Sequence, residues 1–423
     1  MGNRNTSQLL PEIGIFLELF LFTGLYGLYW NGSYPLPLPF AGQGVVRASL
    51  EIPPVTNIPL SFTYISNLLV IQPLSSLPEK TIKDGLLRIS YPWKEASYPI
   101  RLVTIPPEIS LLYIPLLGRG KSGLVLYQVK SWAPCQTWLV DSTGLFYYPY
   151  QQNNVWITFV GWPLSATKYQ IKAVAEDAAK NRVEKLLPIT PFKTSYRVRT
   201  VPLASDFSKK QGEEVNLTNL TGDPLKDYEA LMREFAKQTK VSIFGLTYKR
   251  PSTGTSFFTN LAFLPLSEYS LSSLFGDERR FVLEGKTVRS SYHNGIDFVA
   301  PSNTPVFSPW GGKVLFADYN GAGGNTVVID HGLGLHAIYM HLERIETKAG
   351  EVLSPGQMIG IIGKSGYSTG IHLHLGFSIQ GRYVDPSDWT NTTWLENNVI
   401  IPLKKFLHQE HGEKTSTFPK EEI

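Results

Sequence analysis

Apolar and polar positions alternate with a period of two along much of this chain. From Val45 to about residue 118, runs such as VVRASLEI, LSFTYI, GLLRISY and IRLVTI are separated by prolines. That is the texture of short β-strands joined by turns. A second β-rich stretch covers roughly 121–203 and includes SGLVLYQV, VWITFVGW and YQIKAVAEDAAKNR, where Tyr169, Ile171 and Ala173 alternate with polar partners. Residues 204–222 are polar and read as a linker. The period then changes. In DPLKDYEALMREFAKQ, Leu225, Tyr228, Leu231 and Phe235 recur at helical spacing behind Asp223 as N-cap and Pro224 as first helical residue. This predicts one amphipathic helix that packs against a neighbouring domain. From about 255 the strands return with many glycines, and the end of the chain is polar.

Before these stretches, IGIFLELFLFTGLYGLYW (residues 13–30) is almost wholly apolar, interrupted only by Glu18. About 20 apolar residues cross a bilayer, so the segment reads as an export signal or an uncleaved membrane anchor. The Pro/Gly-rich connector NGSYPLPLPFAGQG follows and is expected to form no regular element. The strand closing on Asp-Ala-x-x-Asn (Asp177 to Asn181) looks like the last part of an immunoglobulin-like sandwich. The expected segments are 1–44 (signal or anchor with connector), 45–120 (β-module), 121–203 (immunoglobulin-like module), 204–254 (linker with helix), 255–392 (catalytic domain) and 393–423 (polar tail).

Composition narrows the function classes. With 43% hydrophobic and 17% charged residues over 423 positions, the chain is globular and long enough for several cores. A net charge of +4 does not indicate a nucleic-acid binder, though it is compatible with an anionic wall or membrane surface. The single cysteine, Cys135, excludes an internal disulfide framework and a cysteine-based zinc module. Two Gly-Lys-Ser segments fail as phosphate loops, because Pro115 and Met358 occupy the positions where the first glycine is required. No nucleotide is therefore expected.

All eight histidines lie at or beyond residue 293, and six of them fall between 293 and 374. Such clustering in one glycine-rich β region is what a metal site produces. In SYHNGIDFVAP, His293 and Asp297 flank Gly295, which leaves room between two converging side chains. In GIHLHLGF, His372 and His374 share a strand face. In HAIYMHL, Tyr339 and His341 are expected to share one too. Imidazole and carboxylate donors suit Zn²⁺, and a catalytic zinc takes three protein ligands with one position open. His293, Asp297 and one of His372 and His374 complete that set, leaving further histidines for acid–base work. His331, in the IDHGLG turn, and His336 read as structural, and His408 and His411 as a solvated tail.

These motifs, HNGID, GKVLFADYNGAGGNTVVIDHGLG, YMHL, SPGQMIGIIG, STGIHLH and GRYVDP, stand in the order and spacing of a known family. Over about 264–388 the chain resembles the lysostaphin/LytM-type zinc endopeptidases of bacterial peptidoglycan. Isoleucine at 371 departs from the proline common there. The resemblance implies His293, Asp297 and His374 as ligands of one Zn²⁺ per chain, and His341 and His372 as the catalytic pair. It also implies a mostly β fold: an antiparallel metallopeptidase sheet with a groove for an extended peptide, preceded by β-sandwich modules and a short helical linker. The expected function is cleavage of peptidoglycan cross-links or stems in the cell envelope. The alternative is a non-catalytic scaffold that binds or activates another wall hydrolase.

Overall fold

The computed structural model describes residues 28–30, 36–38, 45, 47–52, 55–65, 68–73, 82–254 and 262–407. Two compact units account for the chain. The first comprises Met1–Ile109, Val129–Thr137 and Val174–Glu184; the second comprises Ser110–Gln128, Trp138–Ala173 and Lys185–Ile423.

In the first unit a seven-stranded sheet runs in the order Leu28–Trp30, Glu95–Val103, Ile82–Ser90, Arg47–Ile52, Val55–Ile65, Leu68–Pro73, Leu36–Leu38. Its core follows the period of two: Ala48, Leu50 and Ile52, then Leu87 and Ile89, then Ile100 and Leu102 are all buried. One expectation fails here. The connector does contain a strand, Leu36–Leu38, and it lies at the sheet edge, the position in a sheet where proline is tolerated. The last three residues of the apolar 13–30 segment also form a strand, paired in parallel with Ile100 to Leu102, and Trp30 is buried. Residues 13–27 lie outside the described residues. No described helix is long and apolar enough to cross a membrane. The Asp177–Asn181 turn forms as read: both Asp177 carboxylate oxygens accept from Asn181, whose Nδ2 also donates to the Val103 carbonyl at 2.8 Å.

The second unit contains the glycine-rich C-terminal part and what surrounds it. Strand β1 (Val198–Pro202) precedes helices α1 (Phe207–Glu214) and α2 (Pro224–Lys237). Helix α2 starts as the spacing predicts, with the Asp223 carboxylate accepting from the amides of Leu225 and Lys226. The stretch expected as a linker is not one. Leu203, Phe207, Val215, Tyr228, Leu231 and Phe235 form one buried cluster with Phe281 and Leu283. Most of its polar residues face solvent while Phe207 and Val215 turn inward, so a mean polarity hides a packed face.

The main sheet is antiparallel throughout. Its strands are β2 (Ser270–Ser273), β5 (Gly295–Val299), β6 (Gly312–Tyr319), β7 (Asn325–Asp330), β8 (Leu335–Leu342), β9 (Val352–Leu353), β10 (Leu373–Ile379) and β11 (Arg382–Val384), in the order β2-β5-β10-β8-β7-β6-β9, with β11 beside β10. A smaller sheet pairs β1 with β3 (Glu278–Leu283) and β3 with β4 (Lys286–Tyr292). The expected polar tail is helical as far as Leu407. Leu395, Val399, Leu403 and Leu407 recur every four residues and are buried, and Asn391 caps the first turn. His408 and His411 lie outside the described residues.

Candidate metal centre

Strands β5 and β10 pair so that Asp297 stands directly opposite His374. His293, two residues before β5, is fixed by its own main chain. Its amide donates to the Asp277 carbonyl, and Nδ1 donates to the Leu274 carbonyl at 2.9 Å. That bond places the ring proton on Nδ1 and leaves the Nε2 lone pair directed inward. Three donor atoms then converge. His293 Nε2 is 2.9 Å from Asp297 Oδ1 and 2.9 Å from His374 Nδ1, and His374 Nδ1 is 3.0 Å from Asp297 Oδ1. All three residues are buried, and they are the group among the described residues able to hold a metal ion.

The donor set fits a zinc-type cation. It offers two imidazole nitrogens and one carboxylate oxygen, and a tetrahedral shell of radius about 2.1 Å has edges of about 3.4 Å. The observed triangle is slightly tighter. Converging lone pairs in a buried site repel unless a proton or cation lies among them, so the arrangement is arranged for positive charge. Gly295 makes it possible. A Cβ there would stand 2.4 Å from the Leu375 carbonyl oxygen and 2.6 Å from His374 Nε2.

Charge at the site is strongly tuned. Burial alone would raise the Asp297 carboxyl, but the His293 and His374 rings packed against it hold it well below the usual carboxylate range. Burial pushes His374 down to about 4. It pushes His341 to about 3, helped by repulsion from His372 and His374. Both are neutral near pH 7, the form in which imidazole ligates or accepts a proton.

The remaining histidines divide as their settings demand. His341 and His372 line the same cleft as the triangle, a space of about 430 Å³, with ring centroids 4.8 Å apart. Each is tethered through Nδ1, His341 to the Ser365 carbonyl at 2.8 Å and His372 to the Gly370 carbonyl at 2.9 Å. Their Nε2 atoms are thereby left for the cleft, and His372 Nε2 lies 3.8 Å from Asp297 Oδ1. His331 and His336 are buried elsewhere, with His331 Nδ1 donating to the Gly311 carbonyl at 2.7 Å.

Tyr339 and His341 do not share a face as alternation predicted. The β7–β8 register slips between Asn325↔Leu342 and Val327↔Tyr339, so Met340 and His341 together oppose Thr326. His341 takes a φ of +65°, rare for a residue with a Cβ. This bulge turns His341 to the cleft beside Met340, while Tyr339 stays in the core opposite Leu375.

Sequence reasoning missed the supports. Arg279 on β3 hydrogen-bonds Asp297 Oδ2, the oxygen the histidines leave free. Tyr367 fills a cage of Phe207, Tyr228, Phe235 and Phe281, and Glu214 accepts from the Gly366 amide. Helices α1 and α2 thus brace the 363–370 loop, whose Ser365 carbonyl holds His341. The period of two that puts Arg279 with Phe281, and Arg289 with Ser291, on one strand face was the available signal, but nothing local told which charge would turn inward.

A buried three-donor cluster beneath two tethered histidines, at the edge of an open cleft on an antiparallel sheet, is the constellation of a mononuclear metal hydrolase. The comparisons agree with that class. Residues 291–386 match the model of peptidase family M23, so the chain carries a peptidase M23 domain. It is 41% identical over 119 residues to the peptidoglycan DD-endopeptidase ShyA of Vibrio cholerae, covering 28% of this chain and 27% of that protein. It is 39% identical over 117 residues to an uncharacterized metalloprotease of Haemophilus influenzae, covering 27% of this chain and 24% of that one. The chain thus spans about a quarter of the length of these curated relatives. Among solved structures, a protein of Pseudomonas aeruginosa described as a putative peptidase M23 aligns over 66% of this chain and 97% of its own, with a TM-score of 0.42 at 24% identity.

Proposed function

We propose that the M23 domain is a zinc-dependent endopeptidase that hydrolyses peptide cross-links or stems of bacterial peptidoglycan. The observation that carries this reading is the triangle of His293, Asp297 and His374 donors with His341 and His372 in the same cleft. The sequence similarity to an enzyme named as a peptidoglycan DD-endopeptidase supports the substrate class. Work in the cell envelope follows from that substrate, whether the 13–30 segment serves as export signal or anchor, and the immunoglobulin-like stretch would hold or space the enzyme there.

His293, Asp297 and His374 would hold the ion, which supplies Lewis acidity to a water and to the scissile carbonyl. The chain's own residues do the rest. One of His341 and His372, with its Nε2 lone pair free, accepts the proton of the attacking water. The other, carrying a proton on Nε2 as well as on Nδ1, donates to the carbonyl oxygen on which charge develops. As the C–N bond breaks, the accepted proton passes to the leaving amine. Their Nδ1 tethers to Ser365 and Gly370 keep both rings oriented through these transfers.

The test is digestion of purified cross-linked sacculi with the protein, identifying released muropeptides by mass, with His341→Ala and a chelated sample alongside. Loss of cross-linked species, abolished in both controls, is the expected result. Stoichiometric zinc binding without release would replace this reading with the non-catalytic scaffold.

A further inference from the structure

The cleft is strongly and unusually cationic on one wall. In the β1-β3-β4 sheet, Arg199 stands directly opposite Arg279, and Arg279 opposite Ser291; two residues along, Val201 faces Phe281 and Phe281 faces Arg289. All six lie on the face that lines the cleft. Like charges directly opposite in a ladder destabilise it, so the Arg199–Arg279 pair costs stability that the fold has no need to spend. Against these three guanidinium groups, Asp297 is the one carboxylate among the described residues lining the cleft, and Arg279 already holds it. Arg199 donates to the Ser272 carbonyl and reaches Asp277 only at 3.8 Å. Asp277 is itself gripped by Arg197 at 3.1 and 3.2 Å. Arg289 makes no ion pair among the described residues; its guanidinium lies 5.7 Å from the Tyr367 ring centroid. A guanidinium steadied by an aromatic ring keeps its fork of donors free for a planar anion.

We propose that Arg199 and Arg289 form a carboxylate-binding subsite of the cleft, which selects substrates bearing a free peptide carboxylate beside the scissile bond. This rests on the endopeptidase reading and adds the feature of the peptide that the site recognises. Arg279, lying between them, is committed to Asp297 and links the two functions: it orients the carboxylate ligand while contributing field to the subsite. Bidentate guanidinium–carboxylate bonds are both stronger and more directional than neutral ones, so the discrimination is one of geometry as well as charge.

The full-length protein, loaded with zinc, is to be assayed on a synthetic cross-linked stem-peptide dimer with free carboxylates and on the same dimer with every carboxylate converted to carboxamide. The readout is the acid-to-amide ratio of kcat/KM within each protein, which cancels any general loss of folding. The wild type is expected to favour the acid dimer by about tenfold or more, the loss attached to one charge-assisted hydrogen bond. In Arg289→Gln and Arg199→Gln the ratio falls toward one, and Arg289→Lys, with charge but no fork, recovers part of it. A wild-type ratio near one, with both dimers cleaved, overturns the subsite and leaves the endopeptidase standing. A ratio unchanged in both glutamine variants overturns it equally. If the wild type cleaves neither dimer, the endopeptidase reading fails and the subsite with it.

Discussion

Gly295→Ala is the sharpest perturbation of the metal centre, because it replaces no ligand. The added methyl carbon would stand 2.4 Å from the Leu375 carbonyl oxygen and 2.6 Å from His374 Nε2, where ordinary contact begins at 3.4 Å. One neighbour is backbone in the paired strand and the other a buried ring, so neither can swing away. Strand β10 must therefore retreat by about 0.8–1.0 Å, the difference between those distances and ordinary contact. Metal sites tolerate ligand shifts of about 0.2 Å, so the displacement opens the His374 side of the triangle well beyond tolerance. Zinc affinity should fall by 100-fold or more, about 3 kcal/mol or more at 1.4 kcal/mol per decade. Overpacking should also cost about 2 kcal/mol of stability, a fall of about 4–8 °C in Tm. Competitive chelator titration and thermal melts of the metal-free protein would read the two effects separately. Gly370→Ala is the control: its Cβ meets nothing within 4 Å and its φ is not in the left-handed region. Equal zinc affinity and Tm in the two variants would refute the argument that space at residue 295 is what lets the triangle close.

Arg279→Gln removes the charged partner of Asp297 Oδ2 and should weaken zinc binding about 10–100-fold, read by the same titration; no change would make Arg279 a cleft residue alone. His341→Ala and His372→Ala should each retain one zinc per chain by elemental analysis while losing peptidase turnover, and loss of the metal in either would move it into the ligand set. Phe235→Ala, in the cage around Tyr367, should cost about 3–5 kcal/mol, and a chain beginning at residue 255 should lose activity for want of that whole face; full activity in the shortened chain would show the helices to be dispensable. Acid should destabilise the metal-free protein early. Burial holds His331 and His374 near 4 and His341 near 3, whereas the unfolded chain takes up those protons below about 6.5. The stabilisation present above pH 6.5 is thus lost as pH falls toward 4, and a flat stability profile over that window in urea titrations would contradict the burial of these rings.

The local pattern was sufficient for much of this protein. A period of two predicted the strands that the structure forms from Arg47 to Val103, and a capped helical period predicted α2 to within its first residue, because both signals depend on neighbours in sequence. The donor triangle was legible for a similar reason. His293 and Asp297 sit two residues either side of a glycine, and His374 follows His372 by one strand repeat, so short-range geometry already aims them. The resemblance in motif order supplied which of the last two joins the triangle. Mean polarity misled where one face of a short helix was buried, at Phe207 and again at Leu395 to Leu407. Alternation misled at His341, because the bulge opposite Thr326 arises from a register between two strands and leaves no mark on either alone. Arg279, Tyr367 and the arginine wall belong wholly to the tertiary structure: a charge or ring on a strand becomes a ligand support or a substrate contact only when another strand, distant in sequence, folds against it. Sequence spacing thus determined the chemistry available to this chain, while long-range packing decided where each charge points, since only packing can make an inward-facing charge cheaper than a solvated one.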